Sequence, residues 1–222
     1  MRFETDYRYI DRQTKAKYVW LKYQSLLAGR ILDVGADECY LKQHLPADVA
    51  YWGIGLGGHP DQRVDLEKER IPFPDRTFDC VLCLDVLEHV ENIHLVFDDL
   101  CRVTKRYVVI CLPSPWASLF ETLLFGDYAL EQPMKFYGLP PEAPEDRHKW
   151  FYSNAEAQRF IRYRANQNRM QVIQMDNYSA MRRWRRLLYI LVRVALPRIN
   201  ANLADLYGSQ LWAVLERVDE VD

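Results

Sequence analysis

The run Ile31-Leu-Asp-Val-Gly-Ala-Asp-Glu-Cys-Tyr-Leu41 constrains the fold most. It reads as a buried strand that ends in an acid and a glycine and then turns into a helix. In an α/β protein the first strand-to-helix turn is where a nucleotide-like cofactor sits, because backbone N–H groups converge there. Only the start of such a loop is present. Gly35 stands in place, but Asp37 and Cys39 occupy positions where further glycines are expected.

The rest of the chain extends this beginning. Apolar runs at Arg30–Val34, Tyr51–Leu56, Cys80–Val86 and Tyr107–Leu112 are hydrophobic on both faces, as in strands of a covered parallel sheet. Helical periodicity lies at about 9–28, Tyr40–Leu45 and His94–Val103, with a short strand at Arg63–Leu66. Strand alternating with helix gives right-handed βαβ units and a doubly wound sheet. Between Pro113 and Phe151 six prolines mix with many aromatics, a composition suited to a lid or binding segment. Helices are expected at Trp116–Phe125 and at Asn154–Asn168, the latter capped by Ser153. A strand at Met170–Met175, a helix at Arg182–Leu196 and a last strand at Gln210–Val218 complete the chain. This is one domain, 1–222. It comprises a leading helix (1–29), a cofactor-binding half (30–112), a lid and substrate segment (113–169) and C-terminal strands (170–222) with a basic helix at 182–198.

With 222 residues, 49% hydrophobic content, 27% charged content and net charge -2, the chain has the composition of a globular domain with no global attraction to nucleic acid. No apolar stretch opens it, so a secretory signal is not expected, and no run of 18 apolar residues suggests a membrane span. The cysteines are odd in number, five, and fit buried thiols in a reducing, cytoplasmic setting. Cys80 and Cys83 are spaced as C-x-x-C, but on a strand they face opposite ways, which argues against a shared zinc or redox role.

Four segments, in order, resemble class I S-adenosylmethionine-dependent methyltransferases. They are Ile31–Gly35, Tyr51-Trp-Gly-Ile-Gly-Leu56, Ile71-Pro-Phe-Pro-Asp-Arg-Thr-Phe-Asp-Cys-Val81 and Leu84-Asp-Val-Leu-Glu-His-Val90. The last is similar to the "LEH" motif of the small-molecule branch, and with Asp146-Arg-His-Lys-Trp150 it resembles members associated with bacterial surface-polysaccharide biosynthesis. The resemblance implies a Rossmann-like α/β fold. Its doubly wound, mostly parallel, seven-stranded sheet would carry helices on both faces, a Pro/aromatic-rich insertion and a basic amphipathic helix before the last strand. It also implies S-adenosyl-L-methionine as cofactor. Asp33, Gly35, Ala36 and Asp37 would pass beneath it, and Gly55 and Leu56 would lie beside the ribose and adenine. Asp65 and Leu66 would meet the adenine edge, and Leu84 and Asp85 the methionine end. The chain departs from the pattern at Asp37, at Cys39 and at Gly55, where an acid usually holds the ribose hydroxyls; Asp37 or Glu38 are candidate substitutes. Methyl transfer is a displacement at a sulfonium, which needs alignment and exclusion of water, so no metal is expected.

Methylating a hydroxyl also requires proton removal, which suits a histidine. His148, oriented by Asp146, and His89 are the candidates, with Arg147 placed to hold an anionic group and Trp116 and Trp150 to line a substrate site. Each has a structural alternative. His89 could cap the helix that follows it, His148 could belong to a solvated charge cluster, and the aromatics could form the core of a small cap. His44 and His94 read as surface or packing residues, and His59, in Gly57-Gly-His-Pro60, could border the adenine.

Residues 182–198 hold six of the 29 Lys and Arg and no acid, which leaves 23 basic residues against 31 acids elsewhere. Basic charge beside Trp184 and Leu187–Val192 fits an interfacial helix at a membrane surface; a core helix with an arginine rim and a dimer contact remain alternatives. The expected acceptor is a small molecule or glycan, potentially lipid-linked, methylated on oxygen by a cytoplasmic or peripherally membrane-bound enzyme, with no nucleic-acid partner and an unassigned oligomeric state. A non-catalytic protein on the same fold is the alternative. A nicotinamide-dependent oxidoreductase is disfavoured by the absence of G-x-G-x-x-G.

Overall fold

The computed structural model describes residues 2–125, 141–144, 146–179, 187, 190, 191, 194, 205, 206 and 208–218. Seven strands form one sheet: β1 (Arg30–Val34), β2 (Ala50–Gly55), β3 (Gln62–Arg63), β4 (Phe78–Leu84), β5 (Thr104–Pro113), β6 (Met170–Tyr178) and β7 (Gln210–Arg217). Their spatial order is β3-β2-β1-β4-β5-β7-β6. β1 to β5 are parallel to one another, while β7 runs antiparallel to both β5 and β6. The order reverses between β1 and β4. In open α/β sheets ligands bind outside the carboxyl ends of the strands at such a switch point.

The burial of each strand explains its two-faced apolar sequence. One face of the sheet packs Leu32, Val81, Cys83, Val108 and Ile110 against α2 (Ile93–Val103) and α4 (Asn154–Gln167), which contribute Phe97, Leu100, Ala157 and Ile161. The other packs Ile31, Cys80, Leu82, Val109 and Trp212 under α1 (Arg12–Tyr23), through Tyr18, Val19 and Tyr23. Cys80 and Cys83 thus lie in different cores on opposite faces, and all five cysteines are buried and free. Two helices begin with capping boxes, Asp11 with Thr14 and Ser153 with Glu156, so their first-turn N–H groups are satisfied locally.

Several boundaries differ from those expected. Tyr40–Leu45 forms only a 3-10 turn, Tyr40–Gln43. Cys39 enters it in a left-handed conformation (φ 52°) and Pro46 follows closely, which leaves no room for an α-helix. β4 stops at Leu84 because Asp85 turns to φ 54°. β3 shrinks to two residues at the sheet edge, and β6 runs on to Tyr178. α3 (Pro115–Phe125) begins the proline-rich segment. Most of the rest of that segment, 126–140, lies outside the described residues; at its end Trp150 packs against the core that α4 covers. Most of the basic helix at 182–198 lies outside the described residues. Leu187, Ile190, Leu191 and Val194 are described, and they are helical and exposed.

Candidate functional site

The loop after β1 keeps a glycine-like path despite its sequence. Gly35 (φ 80°), Asp37 (φ 50°) and Cys39 (φ 52°) are all left-handed. Aspartate tolerates that region better than most residues, whereas cysteine carries a cost of about 1–2 kcal/mol. The loop is pinned at its start, where Gly35 N and Ala36 N both donate to Ile54 O, at 2.8 and 3.1 Å. Gly35 is required by close approach as well as by φ: a Cβ there would lie 2.2 Å from Val86 Cγ2. The loop after β1 therefore sits directly against Val86, the residue before the Leu87–His89 turn.

The candidate cofactor residues are differently occupied. Asp33 is buried and accepts from Tyr51 Oη at 2.8 Å; burial pushes its carboxyl up to about 6. Asp37 accepts from Arg12 Nη1 at 2.6 Å, so α1 is tied to the loop. Asp65 accepts from Glu67 N at 3.1 Å and pairs with Lys68 at 2.7 Å, the lysine holding its carboxyl below the usual range. Leu66 is buried and Leu56 half-exposed. Gly55 lies beside the loop; a Cβ there would meet Gly35 Cα at 3.4 Å, an ordinary contact, so space does not exclude a side chain. Leu84 ends β4, partly buried. The Asp85 carboxylate is engaged by Lys15 Nζ and by Gln210 Nε2 at 3.0 Å. The sequence reading does not single out Lys15. Its spacing with Tyr18, Val19 and Lys22 puts a lysine on the buried face of α1, and that is the signal available.

Beyond β4, three side chains converge. Glu88 is fully buried in the Leu87–His89 turn. Its Oε1 is 3.8 Å from His89 Nε2 and 3.8 Å from His148 Nε2. The two imidazoles meet edge to face at 4.6 Å. Burial, and then the nearby Asp85 charge, raise the Glu88 carboxyl well above the usual carboxylate range. Asp146, expected to orient His148, places Oδ1 2.7 Å from Nδ1 of His89.

His148 is held here by the bonds of the two residues that follow it. Lys149 N donates to Glu88 O at 2.8 Å, the Lys149 ammonium pairs with Glu67, and Trp150 Nε1 donates to Val90 O at 2.7 Å. Trp150 is thus a pin between this segment and the turn. Arg147 is exposed, and Trp116 packs edge to face on Phe151 at 5.1 Å.

The expectation that no metal takes part needs correction. Glu88, His89 and His148 each offer one ligand atom, all within 4.8 Å of one another, and such a set can hold a metal ion. In the sequence Glu88 and His89 stand together just after the fourth strand, at the mouth where ligands bind in open α/β sheets; nothing in the linear order shows that His148 returns to them.

The sheet order, its antiparallel β7 and the loop at the β1/β4 switch point define the class I S-adenosylmethionine-dependent methyltransferase fold. A family described as a methyltransferase domain matches residues 57–112. An S-adenosylmethionine-dependent methyltransferase from Archaeoglobus fulgidus superposes with a TM-score of 0.61 at 14% identity, covering 94% of this chain and 95% of that one. Magnesium protoporphyrin IX methyltransferase from Synechocystis PCC 6803, with bound SAH, gives 0.53 at 16% identity, covering 93% and 83%. The [4+2]-cyclase SpnF gives 0.55 at 12% identity, covering 97% and 85%. Among curated proteins none matches in sequence. These similarities define the fold; a cyclase among the neighbours shows that the fold does not by itself fix the reaction. Among the described residues no helix is long and apolar enough to cross a membrane.

Proposed function

We propose that the protein is an S-adenosylmethionine-dependent methyltransferase that methylates an oxygen of a small molecule or glycan. The observation that carries this reading is the contact between the Gly35 loop and Val86. It puts a cofactor-type loop and the histidine-bearing turn side by side at the switch point. In the reaction a lone pair of the acceptor oxygen forms the new bond to the methyl carbon as the carbon–sulfur bond breaks. The sulfonium becomes a neutral thioether, and the acceptor's proton passes to the imidazole of His148, beside Glu88 and His89. Asp33, Gly35, Ala36, Asp37, Gly55, Leu56, Asp65 and Leu66 are assigned to the cofactor. Leu84 and Asp85 are assigned to its methionine end, and Arg147 and Trp116 to the acceptor side. Calorimetry with S-adenosylhomocysteine tests the reading: saturable one-to-one binding is expected, and absence of binding refutes it.

The second reading is a binding protein on the same fold. It is favoured by Asp65 already pairing with Lys68, by Asp37 already pairing with Arg12 and by the missing acid at position 55. The same calorimetry separates the two.

A lipid-linked acceptor is part of the proposal. Support comes from Leu187, Ile190, Leu191 and Val194, which share one helical face and are exposed, next to Arg182, Arg183, Arg185 and Arg186 in the sequence. Flotation with anionic liposomes is expected for the native chain and lost when those four arginines become glutamines; equal flotation of both forms, or flotation of neither, refutes membrane attachment through this helix.

A further inference from the structure

We propose that Glu88, His89 and His148 bind one divalent first-row transition-metal ion of the Zn2+ type, with coordination positions left open for the acceptor. Three independent features converge. The first is the ligand set: one carboxylate oxygen and two imidazole nitrogens, mutually within 4.8 Å. Two ligands of a tetrahedral zinc ion, each ~2.1 Å from it, sit roughly 3.4 Å apart, so the 3.8 Å separations from Glu88 Oε1 need only a small closure. Two nitrogens and one carboxylate suit zinc and its first-row neighbours, whereas magnesium and calcium prefer all-oxygen shells.

The second feature is Glu88 itself. It has no solvent exposure, and neither carboxyl oxygen has a hydrogen-bond partner among the described residues. A buried polar group left unsatisfied costs ~1–3 kcal/mol, and a bound cation removes that cost.

The third is the support around the ligands. Asp146 accepts from His89 Nδ1 at 2.7 Å, which keeps the proton on that nitrogen and presents Nε2 as the lone-pair nitrogen. Lys149 N on Glu88 O, and Trp150 Nε1 on Val90 O, fix the backbone just after His148. Outer partners of this kind are what a preorganised metal site requires. Three protein ligands are also the number found where a metal keeps a place for water or substrate.

The binding claim stands without the methyltransferase reading; the role of the ion rests on it. A hydroxyl of the acceptor bound to the ion would release its proton to solvent water near neutral pH, which turns a poor nucleophile into a good one at the mouth of the loop after β1. The two Nε2 atoms then serve as ligands, and the ion takes the part otherwise left to a free imidazole base.

The test uses the full chain stripped with a chelator, titrated with Zn2+ against a chromophoric competitor, and with Co2+ followed by its visible absorption. The native protein is expected to bind one ion per chain and to give a low-symmetry Co2+ spectrum. Glu88→Gln and His148→Ala should each weaken binding at least about 100-fold, and Asp146→Asn, at an exposed side chain where folding is not at risk, by about 10–100-fold. His59→Ala, on an exposed histidine outside the three-ligand cluster, should leave metal affinity unchanged. Absence of stoichiometric binding by the native chain overturns the proposal, as does an unchanged Co2+ spectrum in Glu88→Gln and His148→Ala. Asp146→Asn with native affinity overturns the supporting role of Asp146. S-adenosylhomocysteine calorimetry on the same samples keeps the two ideas apart: cofactor binding without metal binding refutes only the metal site, and metal binding without cofactor binding refutes only the methyltransferase reading.

Discussion

Replacing Gly35 by alanine tests the join between the cofactor loop and the turn after β4. Two costs are built into that position. An L-residue at φ 80° loses about 1–2 kcal/mol relative to a right-handed or extended conformation. The new methyl would also lie 2.2 Å from Val86 Cγ2, so Val86 or the loop must move, and overpacking of this kind costs about 1–3 kcal/mol. The sum, roughly 2–5 kcal/mol, is a large share of the stability of a single domain. A second substitution separates the terms. With Val86→Ala the offending Cγ2 is gone, and the nearest atom to the new methyl is Cβ of residue 86 at 3.6 Å, an ordinary contact. The backbone cost stays and the clash is relieved, so the double variant should recover about 1–3 kcal/mol relative to the sum of the singles. Urea unfolding of the four proteins measures this directly, and S-adenosylhomocysteine calorimetry should show affinity lost in Gly35→Ala. A cost below about 0.5 kcal/mol for Gly35→Ala, or strict additivity with Val86→Ala, would refute the packing described here.

Two further outcomes are expected. Gly55→Glu places an acid where the ribose hydroxyls are expected, at a site whose nearest atoms leave room for a Cβ; S-adenosylhomocysteine affinity should rise about tenfold, in line with one charge-assisted hydrogen bond, and unchanged or weaker binding counts against the cofactor placement. Asp33 has a folded-state pKa of about 6 against a reference of 3.8, so the folded state holds the proton more tightly. That contribution is fully present below the reference value and is lost as pH rises through about 6. Asp33→Asn keeps an acceptor for Tyr51 and removes the charge, so relative to the native chain it should gain roughly 2 kcal/mol between pH 4 and pH 7.5 in urea unfolding. A difference that does not vary with pH would show that Asp33 is not held in this state.

The sheet was legible in the sequence because burial on both faces leaves a continuous apolar run, and such runs cannot be hidden by local propensity. β1 came out at its exact bounds for that reason, flanked by Gly29 and Gly35, both at positive φ. Local geometry was less legible. Nothing in Tyr40–Leu45 shows that Cys39 turns left-handed and limits the helix to one 3-10 turn. The least legible part is the cluster around Glu88. It depends on the segment after the proline-rich stretch returning to the Leu87–His89 turn, and the pins that bring it there are a backbone bond to Glu88 O and an indole bond to Val90 O. Main-chain acceptors carry no residue identity, so the sequence contains no sign of them. Asp146 illustrates the consequence: adjacency suggested His148 as its partner, and the fold gave it His89.

The leading helix accounts for how an altered loop keeps its shape. α1 reaches the site at two points one turn apart: Arg12 donates to Asp37, and the Lys15 ammonium pairs with Asp85. Asp37 is one of the residues that replace a glycine, and its carboxylate gives the loop an anchor that a glycine lacks. Asp85 is the left-handed residue that ends β4 and aims the chain toward Glu88 and His89. Lys15 is nearly buried, and its ammonium also lies 3.3 Å from Cys111 Sγ and 5.1 Å from the Trp212 ring centroid, so it is held in place by the sheet itself. Removing Asp85 would leave the buried Lys15 ammonium without its carboxylate, a smaller loss than in a fully buried pair because Asp85 is partly exposed and Gln210 also serves it. The same helix therefore braces the loop after β1 through Arg12 and the turn that leads to Glu88 and His89 through Lys15. Restoring glycines at positions 37 and 39 would relax local backbone strain but cut the first of these ties, which is why the chain's departures from a glycine loop are to be read together with α1 and not as losses.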